Sequence, residues 1–76
     1  MTLDELSVGH CGVIIQVGGE GILRCRLLDM GLIPHTHIRV SKIAPMGDPM
    51  ELFLRGYTLT LRKEDAHNIT IEEVDG

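Results

Sequence analysis

The sequence predicts an all-β fold, a small closed barrel of five short strands with one short α-helix after the first. Three observations lead there. Apolar and polar residues alternate in short runs over most of the chain. Breaks rich in Gly and Pro separate the runs, and only residues 22–30 carry helical spacing. Five short strands within 76 residues describe a small barrel better than a sandwich. That length makes a single domain, 1–76, near the size where one hydrophobic core only just offsets chain entropy.

The elements follow in order. Thr2 and Glu5 fit a capping box over one helical turn, and "SVGH" turns into the first strand. In "GVIIQV", Val13, Ile15 and Val17 share one face, which is expected to be buried. The glycines of "GGEG" end that strand. In "ILRCRLLDM", Leu23, Leu27 and Met30 fall at i, i+4 and i+7 and form one core-facing stripe, while Arg26 and Asp29 are spaced to pair. Gly31 suits the left-handed position after the helix. Leu32 can fold back on Leu27, and Pro34 prevents continuation.

A second strand then places Ile38 and Val40 inward, and the apolar phase slips near Lys42, where a bulge or bend is expected. After the turn "APMGDP", Met50, Leu52 and Leu54 form one side of a hairpin, with Tyr57, Leu59 and Leu61 on the other. Gly56 sits in the turn between them. "KEDAHN" is a polar helical turn with Ala66 inward, and Ile69 and Ile71 supply the last strand.

Composition excludes several functions. Seven Lys and Arg against eleven Asp and Glu give a net charge of −4, and the only aromatic residues are Phe53 and Tyr57, which argues against nucleic-acid binding. No apolar run approaches the roughly 20 residues of a membrane span, so no direct membrane insertion is expected. The first residues lack the basic and apolar regions of an export signal, so a cytoplasmic location and reduced Cys11 and Cys25 are expected. "GGEGIL" lacks the spacing and the Gly-Lys-Ser/Thr of a phosphate loop, and no nucleophile with its base or paired carboxylates stands out. The chain reads as a non-enzyme. With no Trp and one Tyr, it also lacks the aromatic groove that holds polyproline ligands.

The segments "RLLDMGLIP", "APMGDP" and "LRGYTLTLRKEDAHNI", in register along nearly the whole chain, resemble the ferrous iron transport protein A (FeoA) family. The resemblance implies an SH3-like barrel and a cytoplasmic accessory role for the membrane transporter FeoB, whose cytosolic part carries a GTPase domain. One departure is His35, where members of the family usually have Gly. A type II turn with positive φ there strains histidine, and a type I turn is the alternative. His35 and His37 are spaced to share a face and are weak candidate ligands for ferrous iron or another transition metal. Two histidines without a third ligand do not make a tight site, however, so no cofactor is expected. His67, on the polar turn, reads as solvent-exposed, and Cys25 as a small helix residue beside the core stripe.

The expected partner is a FeoB-type transporter. On the helix, Leu28 lies about 100° from the core stripe and near Arg24, which makes Arg24 and Leu28 the candidate docking pair. The alternative reading is the regulatory SH3-like domain of an iron-dependent repressor, against which the absence of DNA-binding helices argues.

Overall fold

The computed structural model describes residues 1–75. Five strands form one antiparallel sheet: β1 (Cys11–Val17), β2 (His37–Ile43), β3 (Met50–Leu54), β4 (Tyr57–Leu61) and β5 (Ile69–Val74), in the spatial order β4-β3-β2-β1-β5. Two helices, α1 (Gly21–Asp29) and the one-turn α2 (Lys63–Ala66), join β1 to β2 and β4 to β5. The mainly β architecture matches the sequence expectation. Among the described residues no ladder joins β4 to β5, so the sheet is curled but not closed by backbone pairing.

The core is the inner face of this sheet. Ile38 and Val40 of β2, Met50, Leu52 and Leu54 of β3, and Ile69 and Ile71 of β5 are all at most 2 % exposed. Leu27 of α1 and Leu32 close the core on the helix side, and Ala66 closes it beneath α2. Leu3 and Leu6 enter from the first turn, where Thr2 N–H donates to Glu5 Oε1 at 2.8 Å as the capping box requires. The Thr2 hydroxyl also contacts Asp4.

Bulges decide which side chains reach that core. On β2 the pairing passes from Val40↔Leu52 to Lys42↔Glu51, so Ser41 is the extra residue and the expected slip near Lys42 is present. A second bulge, on β1, overturns the expected face. Its pairing with β5 passes from Ile14↔Ile71 to Gln16↔Thr70. The inward residues are therefore Gly12, Ile14 and Val17, whereas Val13 is half-buried and Ile15 is half-exposed on the other side. Strict alternation counted back from Val17 fails because one inserted residue reverses every position before it. The inward position at Gly12 has no room for a side chain: a Cβ there would lie 2.9 Å from Ile71 Cδ1.

The β3–β4 hairpin turns through Arg55 and Gly56, both at positive φ (49° and 84°), the geometry that matches the twist of paired strands. Tyr57 departs from its expected inward place. It is largely exposed, and its hydroxyl donates to the Met30 carbonyl at 2.6 Å, which ties the start of β4 to the end of α1. At the other edge of the sheet the chain's own beginning lies along β5: Thr2 bridges Thr70, and Ile71 N–H donates to the Met1 carbonyl at 2.8 Å.

Candidate functional site

Helix α1 and the turn that ends it form the first candidate surface. The helix stops where the sequence says it should. Gly31 has φ +95°, its N–H donates to the Leu28 carbonyl at 3.0 Å, and Leu32 N–H reaches back to the Leu27 carbonyl at 3.1 Å. These two bonds define a Schellman cap, and Leu27 and Leu32 are both fully buried as its apolar pair. Of the expected stripe, Leu27 is buried, while Leu23 and Met30 are half-buried against the core.

The docking pair Arg24 and Leu28 is less free than helical geometry suggests. Leu28 is half-buried and packs on the core beside the stripe, because a short helix on a small curled sheet buries a wider arc than one row of residues. Arg24 Nε donates to the Val17 carbonyl at 3.2 Å, which holds its stem toward the end of β1 and leaves the residue exposed. The apolar residue that α1 presents to solvent is Ile22, 85 % exposed. Arg26 pairs with Asp65 of α2 at 3.4 Å and not with Asp29, so it links the two helices.

The histidine turn follows. Pro34 and His35 occupy its centre, Thr36 N–H closes it on the Ile33 carbonyl at 3.2 Å, and His35 stands at φ +74°. The positive-φ alternative is the one adopted, and histidine carries the strain that glycine would avoid. His35 N–H donates to the Ile14 carbonyl at 2.8 Å, which pins the turn to β1. His35 and His37 are both exposed. Cys11 is half-buried and Cys25 exposed, and both are free thiols. Among the described residues no three His, Cys, Asp or Glu side chains are placed to hold a metal ion.

Two histidine contacts had no signal in sequence spacing, because each joins residues 63 positions apart: His10 Nδ1 with Glu73 at 2.5 Å, and His67 Nδ1 with Asp4 at 3.2 Å. Burial is the largest single influence on Asp4 and raises its pKa, but the Thr2 hydroxyl and the His67 ring together outweigh it and hold the carboxyl below its ordinary value. Glu5 is lowered too, chiefly by the Thr2 backbone N–H.

Sequence reasoning also missed a row across the outer face of the sheet. Val74, Cys11, Arg39 and Phe53 are successive cross-strand partners, so their side chains share one face. The Arg39 guanidinium lies 5.7 Å from the centroid of the Phe53 ring. An open cleft of about 300 Å³ runs along this row and reaches His37, Arg55 and Asp75. Only the alternation of β2 and β3 hinted at it, since register between strands is not written in either strand alone.

Comparison with known proteins gives a consistent answer. The FeoA domain model matches residues 1–73. The Fe(2+) transport protein A/Fe(2+) transporter FeoB fusion protein of Porphyromonas gingivalis (strain ATCC BAA-308 / W83) is 40% identical over 72 residues, which is 95% of this chain but 8% of that protein. The solution structure of a FeoA-like protein from Clostridium acetobutylicum shares the fold at TM-score 0.92 and 37% identity, covering 100% of this chain and 88% of that one. A zinc complex of FeoA from Stenotrophomonas maltophilia, described as a procaryotic SH3 domain protein, has TM-score 0.83 at 22% identity over 95% of this chain and 89% of that one, a likeness of fold. On the family match and the identity to the fusion protein, the chain belongs to the FeoA family.

Proposed function

We propose that residues 1–76 act as one cytoplasmic accessory domain of ferrous iron uptake, which docks onto the cytosolic, GTPase-bearing part of a FeoB-type transporter. The observation that carries this reading is the fusion protein, in which a segment 40% identical to this chain is covalently joined to a FeoB transporter. Joining two domains in one chain raises their effective concentration toward each other, an arrangement that suits partners that work in contact. The chain itself offers surface rather than chemistry. Among the described residues the cleft on the outer sheet face is open to solvent, and no helix is long and apolar enough to cross a membrane.

On α1, Arg24 supplies a charge for orientation, Ile22 an exposed apolar contact, and Leu28 the uncovered part of its side chain. Calorimetric titration of the cytosolic part of the transporter with this chain tests the reading. Saturable binding of one copy per partner is the expected result, and no heat at concentrations up to 100-fold above micromolar would refute it. Arg24→Glu and Ile22→Ser test the helix in the same assay, because neither side chain contributes to the core. Leu28→Ser would mix a loss of contact with a loss of packing.

A further inference from the structure

The cleft on the outer face of the sheet has a charge pattern that specifies its occupant. Its floor is apolar, formed by Cys11, Val74 and Phe53 on β1, β5 and β3. At the β2–β3 side stand two guanidiniums, Arg39 and Arg55, with His37 beside them. Both arginines are held in place: Arg39 against the Phe53 ring, and Arg55 through Nη2, which donates to the Thr36 hydroxyl at 3.1 Å. Thr36 is itself buried, so that anchor is firm. A guanidinium fixed this way keeps its remaining N–H groups for an acceptor and loses less entropy on binding one.

The acid that lines the cleft is at its other side, while Glu51, on the same face of β3, lies outside the cleft beyond Phe53 and opposite Lys42. Asp75 lies at the β5 end of the cleft, and Glu72 pairs with Val13, two residues along β1 from Cys11. The cleft is therefore basic where Arg39 of β2 meets Arg55 of the β3–β4 turn and acidic at its β5 end, on a chain whose net charge is −4 and whose basic residues number only seven. Two of those seven converge on one apolar cleft. The volume, about 300 Å³, is at the small end of ligand sites and takes one or two side chains rather than a cofactor.

We infer that this cleft binds an acidic, extended segment of a partner protein, with a carboxylate on Arg39 and Arg55 and the neighbouring apolar side chain over Cys11, Val74 and Phe53. In taking the transporter's cytosolic part as the source of that segment the inference rests on the docking reading above; the cleft's preference for an acidic peptide does not.

Two titrations of the isotope-labelled chain, followed by NMR, test it. The first uses a blocked pentapeptide, acetyl-Glu-Leu-Glu-Phe-Glu-amide, against its glutamine counterpart, acetyl-Gln-Leu-Gln-Phe-Gln-amide. The acidic peptide should bind at least tenfold more tightly, shift the amides of Cys11, Arg39, Phe53 and Val74, and lose fivefold or more of its affinity with Arg39→Gln or Phe53→Ala. Equal affinity for the two peptides, no saturable binding of the acidic one, or shifts confined to α1 would overturn the inference. So would concentration-dependent shifts on this face for the chain alone, which would put a second copy there.

The second titration uses the cytosolic part of the transporter. A complex weakened at least fivefold by Arg39→Gln supports both statements. A complex indifferent to Arg39→Gln and Phe53→Ala leaves the docking reading and overturns the cleft's part in it. Binding of the acidic peptide without any complex leaves the cleft and refutes the docking. Arg55→Gln is not used, since it would also strand the buried Thr36 hydroxyl.

Discussion

Adding one methyl group at Gly31 tests how the helix cap and the start of β4 are joined. At φ +95° an alanine pays roughly 1–2 kcal/mol for the left-handed conformation. The smaller freedom of the unfolded alanine chain returns about 0.4–1 kcal/mol. A further cost comes from Tyr57, because a Cβ at position 31 would lie 2.5 Å from its Oη, well inside the ~3.5 Å at which atoms meet without repulsion. The ring must retreat by about 1 Å. Retreat breaks the 2.6 Å bond from the Tyr57 hydroxyl to the Met30 carbonyl, a loss of about 0.5–1.5 kcal/mol, toward the low end because Tyr57 is exposed and water can replace it.

Gly31→Ala should therefore destabilise the fold by about 1–1.5 kcal/mol. In a Tyr57→Phe background the clash disappears, since the ring carbon that bore the hydroxyl lies 3.8 Å away, and the cost should fall to about 0.5–1 kcal/mol. Urea unfolding followed by far-UV circular dichroism measures all four corners of this cycle without relying on tyrosine fluorescence. Equal costs for Gly31→Ala in the two backgrounds, within about 0.3 kcal/mol, would refute the contact and leave backbone strain as the whole effect.

His35→Gly should stabilise the chain by a few tenths to about 1 kcal/mol, the left-handed strain removed less the added freedom of an unfolded glycine, and a thermal melt that moves down would show that His35 makes contacts worth more than its strain. Asp4 and Glu5 both stand below their ordinary pKa, so the stability they add is present above the unfolded carboxylate range, near pH 4, and is lost as pH falls through their lower folded values. Asp4→Asn with Glu5→Gln should flatten the fall in melting temperature below about pH 4, and an unchanged slope would place acid lability elsewhere. Titration with ferrous iron under anaerobic conditions, or with zinc, should give only weak binding at His35 and His37; a sub-micromolar site lost in the double alanine variant would contradict the geometry.

Where one strand or one turn carried its own information, the sequence was legible. The Gly31, Leu32 and Pro34 stop signal gave the helix end, the slip at Lys42 gave the β2 bulge, and the alternation of Met50, Leu52 and Leu54 gave the core face of β3. Failures came where a second element decided. The β1 bulge shows only against β5, and Arg26 has equally good charges at Asp29 and Asp65 until the helices are placed. Leu28 illustrates the same limit at the candidate site. Its angle on the helix is local, whereas how far the core wraps around α1 depends on the curl of the whole sheet. The basic cleft was hidden for this reason too: Arg39 and Arg55 are sixteen positions apart, and the strand register brings them together.

The two edges of the sheet are guarded unequally, and this bears on how the chain behaves when crowded. Along β5 the Met1–Thr2 segment occupies the hydrogen-bonding edge, and Glu72 and Glu73 add charge that repels an incoming strand. Along β4 the sequence Tyr57-Thr58-Leu59-Thr60-Leu61 has high strand propensity and neither charge, proline nor bulge, the devices that blunt natural edges. Strand-to-strand recruitment costs least there. Aggregation of concentrated samples should therefore start at β4, and an outward charge such as Thr60→Lys is the smallest change that would slow it while leaving the core untouched.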